Sequence, residues 1–231
     1  MLYSFVTAVA LFSGAALAAT GELGDAAITT DNVAGASYQA VLPNKNTTTI
    51  RGQITGTSNT NGTGVEFNIN FYGLPDQSQG GPFIYHIHAL PVPSDGNCTG
   101  TLAHLDPYIR GETPVCDATQ PETCQVGDLS GKHGNITRNP FQTAYLDLYT
   151  TTTKGIGAFF GNRSIVIHSA NKTRLTCANF TLVSSGSPST NASSTTSSTT
   201  SASTYTGGAT SMAISAGTLV AAILGLLNLL M

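Results

Sequence analysis

From Val65 to Tyr72 apolar and polar side chains alternate without a break: Val65, Phe67, Ile69 and Phe71 against Glu66, Asn68, Asn70 and Tyr72. A period of two puts the two sets on opposite faces of an extended chain, so the segment is predicted to be a half-buried strand. Ile50–Ile54, Ile84–Leu90, Ala144–Thr150 and Ser164–Ser169 are similar short runs. Clusters of Gly, Asn, Asp and Pro separate them, as over Ser58–Gly64 and Leu74–Pro82, and such residues mark turns. No segment carries a sustained apolar stripe at helical spacing. The middle of the chain therefore reads as all-β, a sandwich or barrel.

One irregular stretch, Pro91 to about Gly134, interrupts the pattern. Loops of that length in a compact domain are usually functional or pinned down. This one holds Cys98, Cys116 and Cys124 of the four cysteines and His104 and His133 of the five histidines.

The two ends change the picture from a plain domain to a surface protein. Met1–Ala18 has no charged side chain, an apolar stretch Phe5–Phe12 and the small-residue ending Ala16-Leu17-Ala18. It is predicted to be a signal peptide, with the mature chain starting near Ala19. Beyond Arg174 no charged residue follows. Residues 183–207, dominated by Ser and Thr, have too little apolar surface to offset their ordering entropy and read as a glycosylated stalk. Gly207-Gly208-Ala209, a polar spacer and the apolar run Ala213–Met231 form the pattern of a GPI-attachment signal, with Gly207 as attachment residue and 208–231 removed. A membrane-spanning helix would need ~20 apolar residues and usually a charged flank, which this run lacks.

Asn46, Asn61, Asn97, Asn135, Asn162, Asn171, Asn179 and Asn191 each begin an Asn-x-Ser/Thr sequon, as in a secreted glycoprotein. Four cysteines can form two disulfides in such a compartment. Without the ends, one domain of about 160 residues, 19–182, remains. The chain is not basic enough for a nucleic-acid binder: over all 231 residues the net charge is −3, with 9% charged residues.

His86 and His88 stand two apart on a predicted strand, so both imidazoles share a face about 7 Å apart. His104 lies in the loop, and His168 ends the run Ser164–His168. His133, between Lys132 and Gly134, is set aside as a structural loop residue. Four imidazoles with no free thiolate suit copper, zinc or another imidazole-binding metal, and spacing alone does not choose between them.

These segments resemble the copper/zinc superoxide dismutase family. His86-Ile-His88 resembles its paired copper ligands, His104 its next histidine, which bridges two metals in the two-metal enzymes, and His168 its last copper ligand. Cys98, six residues before His104, and Arg174-Leu-Thr-Cys177 resemble its disulfide cysteines and active-site arginine, and Gly127-Asp128-Leu129 a further motif. The resemblance runs from about Gly21 to Leu182. It implies a Greek-key sandwich or barrel of about eight antiparallel strands. It also implies a Cys98–Cys177 disulfide, which leaves Cys116 and Cys124 for each other, pinning the long loop.

Departures from the family narrow the reading. Where two further histidines bind zinc, this chain has Glu112 and Gln125, so only Asp128 remains of the dedicated zinc ligands. The long charged loop before the arginine is reduced to Ser169–Thr173, with Lys172 its one lysine. Together with the predicted anchor, this resembles the copper-only extracellular dismutases of fungi. The expectation is one copper ion on His86, His88, His104 and His168, and no zinc. Copper cycling would turn superoxide into dioxygen and hydrogen peroxide, with His104 released and protonated in the reduced state. Asp128 is expected to orient His104, as an acceptor or through an intermediate residue, with Gln125 assisting, and Arg174 to draw in the anion. The expected setting is a monomer at the cell surface, held to membrane or wall glucan, removing extracellular superoxide such as that of a host burst. The alternatives are a surface copper carrier, which would not need Arg174, and a structural wall module, which would need neither.

Overall fold

The computed structural model describes residues 21–187; the predicted signal peptide, Asn191, Gly207 and the GPI signal lie outside them. Eight strands form two antiparallel sheets. The larger contains β1 (Ala36–Val41), β2 (Arg51–Ser58), β3 (Val65–Tyr72), β5 (Phe141–Asp147) and β8 (Thr181–Ser185), in the order β5-β3-β2-β1-β8. The smaller has the order β4-β6-β7, from β4 (Ile84–His88), β6 (Ser164–His168) and β7 (Arg174–Asn179). A short helix, α1 (Leu129–His133), closes the long loop.

The core fills the space between the sheets. Val65, Phe67, Ile69 and Phe71 of β3 are buried and their neighbours exposed, as alternation requires. Tyr85 and Ile87 of β4 and Ile165 and Ile167 of β6 meet them from the other side. The small sheet is buried on both faces: every residue of β6 is buried. Its second face carries His86, His88 and His168, and the long loop covers it.

Several strand limits differ from the sequence expectation, for local reasons. Ala144–Thr150 was expected as a strand, but β5 spans Phe141–Asp147. Asp147 ends it, because its Oδ1 accepts the backbone N–H groups of Tyr149 and Thr150 at 3.0 and 2.9 Å and turns the chain. At the far end β8 pairs with β1 through Ser185, so the sheet passes the expected domain limit at Leu182. The first residues given to the stalk, Val183–Ser185, belong to this edge strand.

Two disulfides, Cys98–Cys177 and Cys116–Cys124, staple the long loop. The first ties it to β7. Along β4 the loop returns as an added strand-like segment: Leu105 N–H donates to Ile87 O at 2.8 Å, and Ala89 N–H to Ala103 O at 2.9 Å. Gly127 joins both by donating to Leu105 O and accepting from Ile87 N–H. A Cβ there would lie 2.3 Å from Ile87 O, so only glycine permits the approach.

Candidate metal centre

His86 and His88 stand on alternate positions of β4, and His168 is at the end of β6 next to β4. His104 arrives on the returning loop, bridged to His88 by backbone pairing. The four rings offer ligand nitrogens that all lie within 4.8 Å of one another. Nε2 of His88 and Nε2 of His168 are 3.2 Å apart.

Each ring has one nitrogen occupied by an oxygen. Nδ1 of His88 meets Leu102 O at 2.8 Å, and Nδ1 of His168 meets Lys172 O at 3.1 Å. A carbonyl only accepts, so both rings carry hydrogen at Nδ1 and a lone pair at Nε2. Leu102 and Lys172, which supply these carbonyls, both have left-handed backbones, φ 60° and 68°. That conformation is costly for a side-chain-bearing residue and is held here by the surrounding contacts. Nδ1 of His104 meets Gln125 Oε1 at 2.7 Å.

His86 is turned the other way. Its Nε2 lies 3.1 Å from Ser130 Oγ and 3.4 Å from Asp128 Oδ1. Its Nδ1 is buried and, among the described residues, has no hydrogen-bond partner. A buried lone pair without a partner is costly unless something binds it. Nδ1 of His86 with the free nitrogens of the other three rings forms an all-imidazole donor set, which suits copper.

Of the two routes expected for Asp128, direct contact with His104 is not found among the described residues. Its carboxylate caps α1 by accepting Gly131 N–H at 2.7 Å and faces His86. Gln125 takes the place beside His104, and its Nε2 donates to Asp106 Oδ2 at 2.9 Å. Asp106 went unnoticed in the sequence; its only signal is its place two residues after His104. His133 lies elsewhere, stacked on Tyr145 and 2.8 Å from Asp147.

Burial keeps three of the rings, those of His88, His104 and His168, neutral. It pushes His88 down to about 2 and His168 to about 4, and lowers His104 as well, with neighbouring imidazoles adding to the effect. Their lone pairs are thus available at neutral pH.

Two adjoining cavities open onto the cluster. One, about 210 Å³, is lined by all four histidines together with Glu112, Lys172 and Arg174. The other, about 250 Å³, lies against His86 and His104 and continues to Gln125, Asp128 and Ser130. Glu112 and Lys172 line both and pair with each other at 2.6 Å. The guanidinium of Arg174 is fixed by Cys98 O, Thr101 Oγ1 and Leu102 O.

No family model matches the chain. A cell surface Cu-only superoxide dismutase of Arthroderma benhamiae is 46% identical over 194 residues, 72% of this chain and 52% of that protein. Cell surface Cu-only superoxide dismutase 5 of Candida albicans is 41% identical over 166 residues, 71% of this chain and 68% of that protein. The chain thus spans about half the length of the first relative and about two thirds of the second. Among solved structures, the Cu(II) form of Candida albicans superoxide dismutase 5 superposes with a TM-score of 0.59 at 37% identity, covering 69% of this chain and 99% of that one.

Proposed function

Since this chain belongs to the cell surface Cu-only superoxide dismutases, we propose that it removes superoxide outside the cell, with one copper ion held by His86 Nδ1 and by Nε2 of His88, His104 and His168. The observation that carries the ligand set is the buried Nδ1 of His86, without a partner among the described residues, beside three rings whose opposite nitrogens are already bonded. When bound, copper supplies the one-electron cycling by which one superoxide is oxidised to dioxygen and a second, with two protons, is reduced to hydrogen peroxide.

The chain's own residues supply the rest. Gln125 engages Nδ1–H of His104, so Nε2 is the ring atom at which His104 can take up and hand on a proton. Asp128 and Ser130 accept from or face Nε2 of His86 and aim its Nδ1 at the cluster. Arg174 and Lys172 put positive charge at the cavity holding all four histidines, which favours a small anion.

Zinc has no place in this reading. Glu112 is paired with Lys172, Gln125 with His104 and Asp106, and Asp128 with His86 and α1. A zinc site ordinarily takes four ligands that are mostly His or Cys. The predicted leader, stalk and GPI signal would place a glycosylated monomer on the membrane or wall. Each sequon asparagine from Asn46 to Asn179 is exposed, as attachment of a sugar requires.

The test is metal content and superoxide removal of the same purified, copper-exposed protein, with His168→Ala alongside. One copper, no zinc and turnover lost in the variant support the reading. Copper binding without turnover makes the protein a carrier, and stoichiometric zinc overturns the assignment of Glu112, Gln125 and Asp128.

A further inference from the structure

The side chain of Gln125 has two ends of opposite polarity, and what faces them decides which way it lies. On one side is His104; on the other is Asp106. Both carboxyl oxygens of Asp106 already act as acceptors of backbone hydrogens: Oδ1 from Arg110 N–H at 3.0 Å and Oδ2 from Gly111 N–H at 2.8 Å. Only the NH2 end of Gln125 can meet such an acceptor, and Nε2 does so at 2.9 Å. The oxygen end must then face His104, where it can only accept. Nδ1 of His104 is obliged to carry the hydrogen, and the lone pair is left on Nε2.

We propose that Asp106 is a positioning residue: by fixing the direction of the Gln125 amide it selects the Nδ1–H tautomer of His104 and keeps the Nε2 lone pair available for the metal. The inference rests on the copper reading of the site given above. Gln125 is buried, so without Asp106 its NH2 group would lose a partner. The amide could then turn over, offer NH2 to His104, and leave the hydrogen on Nε2, where the ligand bond has to form. His88 and His168 need no such device, because their Nδ1 hydrogens meet backbone carbonyls, whose polarity cannot be reversed. His104 alone of these three depends on a reversible group.

Imidazole 1H–15N spectra of the metal-free protein report the tautomer of His104 directly, independently of whether the loaded protein turns superoxide over. The wild type is expected to show Nδ1–H alone. Asp106→Ala is expected to show both tautomers and to bind copper(II) about 10–100-fold more weakly. In Asp106→Ala/Gln125→Glu the carboxylate at 125 accepts at both ends, so Nδ1–H alone and the copper affinity both return. A role limited to the Asp106–Gly111 turn would not be rescued by a change at 125. Nε2–H in the wild type, pure Nδ1–H in Asp106→Ala, or no recovery in the double variant overturns the proposal. If the single variant does not fold, a folded double variant with Nδ1–H supports it and an unfolded one overturns it. Turnover can fail with the tautomers as expected, which would sink the dismutase reading alone.

Discussion

Arg174 and His88 are joined through one oxygen atom: Leu102 O accepts from the guanidinium of Arg174 and lies 2.8 Å from Nδ1 of His88. The arginine at the mouth of the cavity therefore also holds the loop that orients a histidine of the cluster. The Cys98–Cys177 disulfide closes the same arrangement, since Cys98 O is another acceptor of Arg174 and Cys177 lies on the same strand.

Arg174→Lys separates the two roles. The charge is kept, but one ammonium cannot reproduce the planar fork that reaches Cys98 O, Thr101 Oγ1 and Leu102 O. Copper(II) affinity and superoxide removal are expected to fall together, by about 10-fold, as measured by competition with a chelator and by pulse radiolysis. Full copper affinity in the variant would show that Arg174 acts by charge alone.

What the sequence could reveal of this site follows from how each contact is made. His86 and His88 were legible because strand geometry puts alternate residues on one face, and β3 because its buried and exposed residues alternate through Tyr72. β8 carries no such signal: it is exposed along its whole length. Buried Ala36 and Ala40 in β1 are too small to stand out. Partners of the histidines were harder to assign, because most of them come from a loop whose path is set by tertiary pairing. Asp128, Gln125 and Asp106 all lie near the cluster, and nothing in their spacing says which ring each one faces. The pairing of Gly127 with Ile87 and Leu105 sets the stretch in which Asp128 faces His86 and Gln125 faces His104.

Glu112 and Lys172 form an exposed pair at the cavity mouth, worth at most about 1 kcal/mol of stability. Their effect on an anionic substrate is of a different kind. Removing the negative charge with Glu112→Gln is expected to raise the superoxide rate at low salt, and Lys172→Gln to lower it. At 1 M salt, where screening acts over about 3 Å, the three rates should converge. Stopped-flow or pulse-radiolysis rates across ionic strength check this. A fall with Glu112→Gln at all salt concentrations would mean that the carboxylate orders the mouth rather than biasing its field.

Neutralising the charge that anchors α1 should have a larger cost. Lys132 Nζ lies 2.6 Å from Asp147 Oδ2 with both side chains fully buried, and also donates to Val126 O at 2.9 Å. The contact fixes α1, and with it Ser130 against His86, to the end of β5. Lys132→Met leaves the buried Asp147 with His133 alone beside it and is expected to destabilise the domain by about 3–5 kcal/mol, read from urea unfolding.

Asp147 itself makes stability depend on acid. Burial pushes its carboxyl up, but the charge of Lys132, with the hydrogen bond and charge of His133, outweighs burial and holds it well below the usual carboxylate range. A group whose folded pKa is depressed stabilises fully above its unfolded value, about 3.9, and loses that contribution as pH falls below it toward the folded value. The urea midpoint of the wild type should therefore drop steeply below about pH 4. Asp147→Asn should be less stable at neutral pH, yet the gap to the wild type should close as the pH falls from about 4 towards 2, since only the wild type has this proton to gain. Parallel curves for the two proteins over that range would show that Asp147 contributes through its hydrogen bonds to Tyr149 and Thr150, which an amide oxygen can also accept, rather than through its charge.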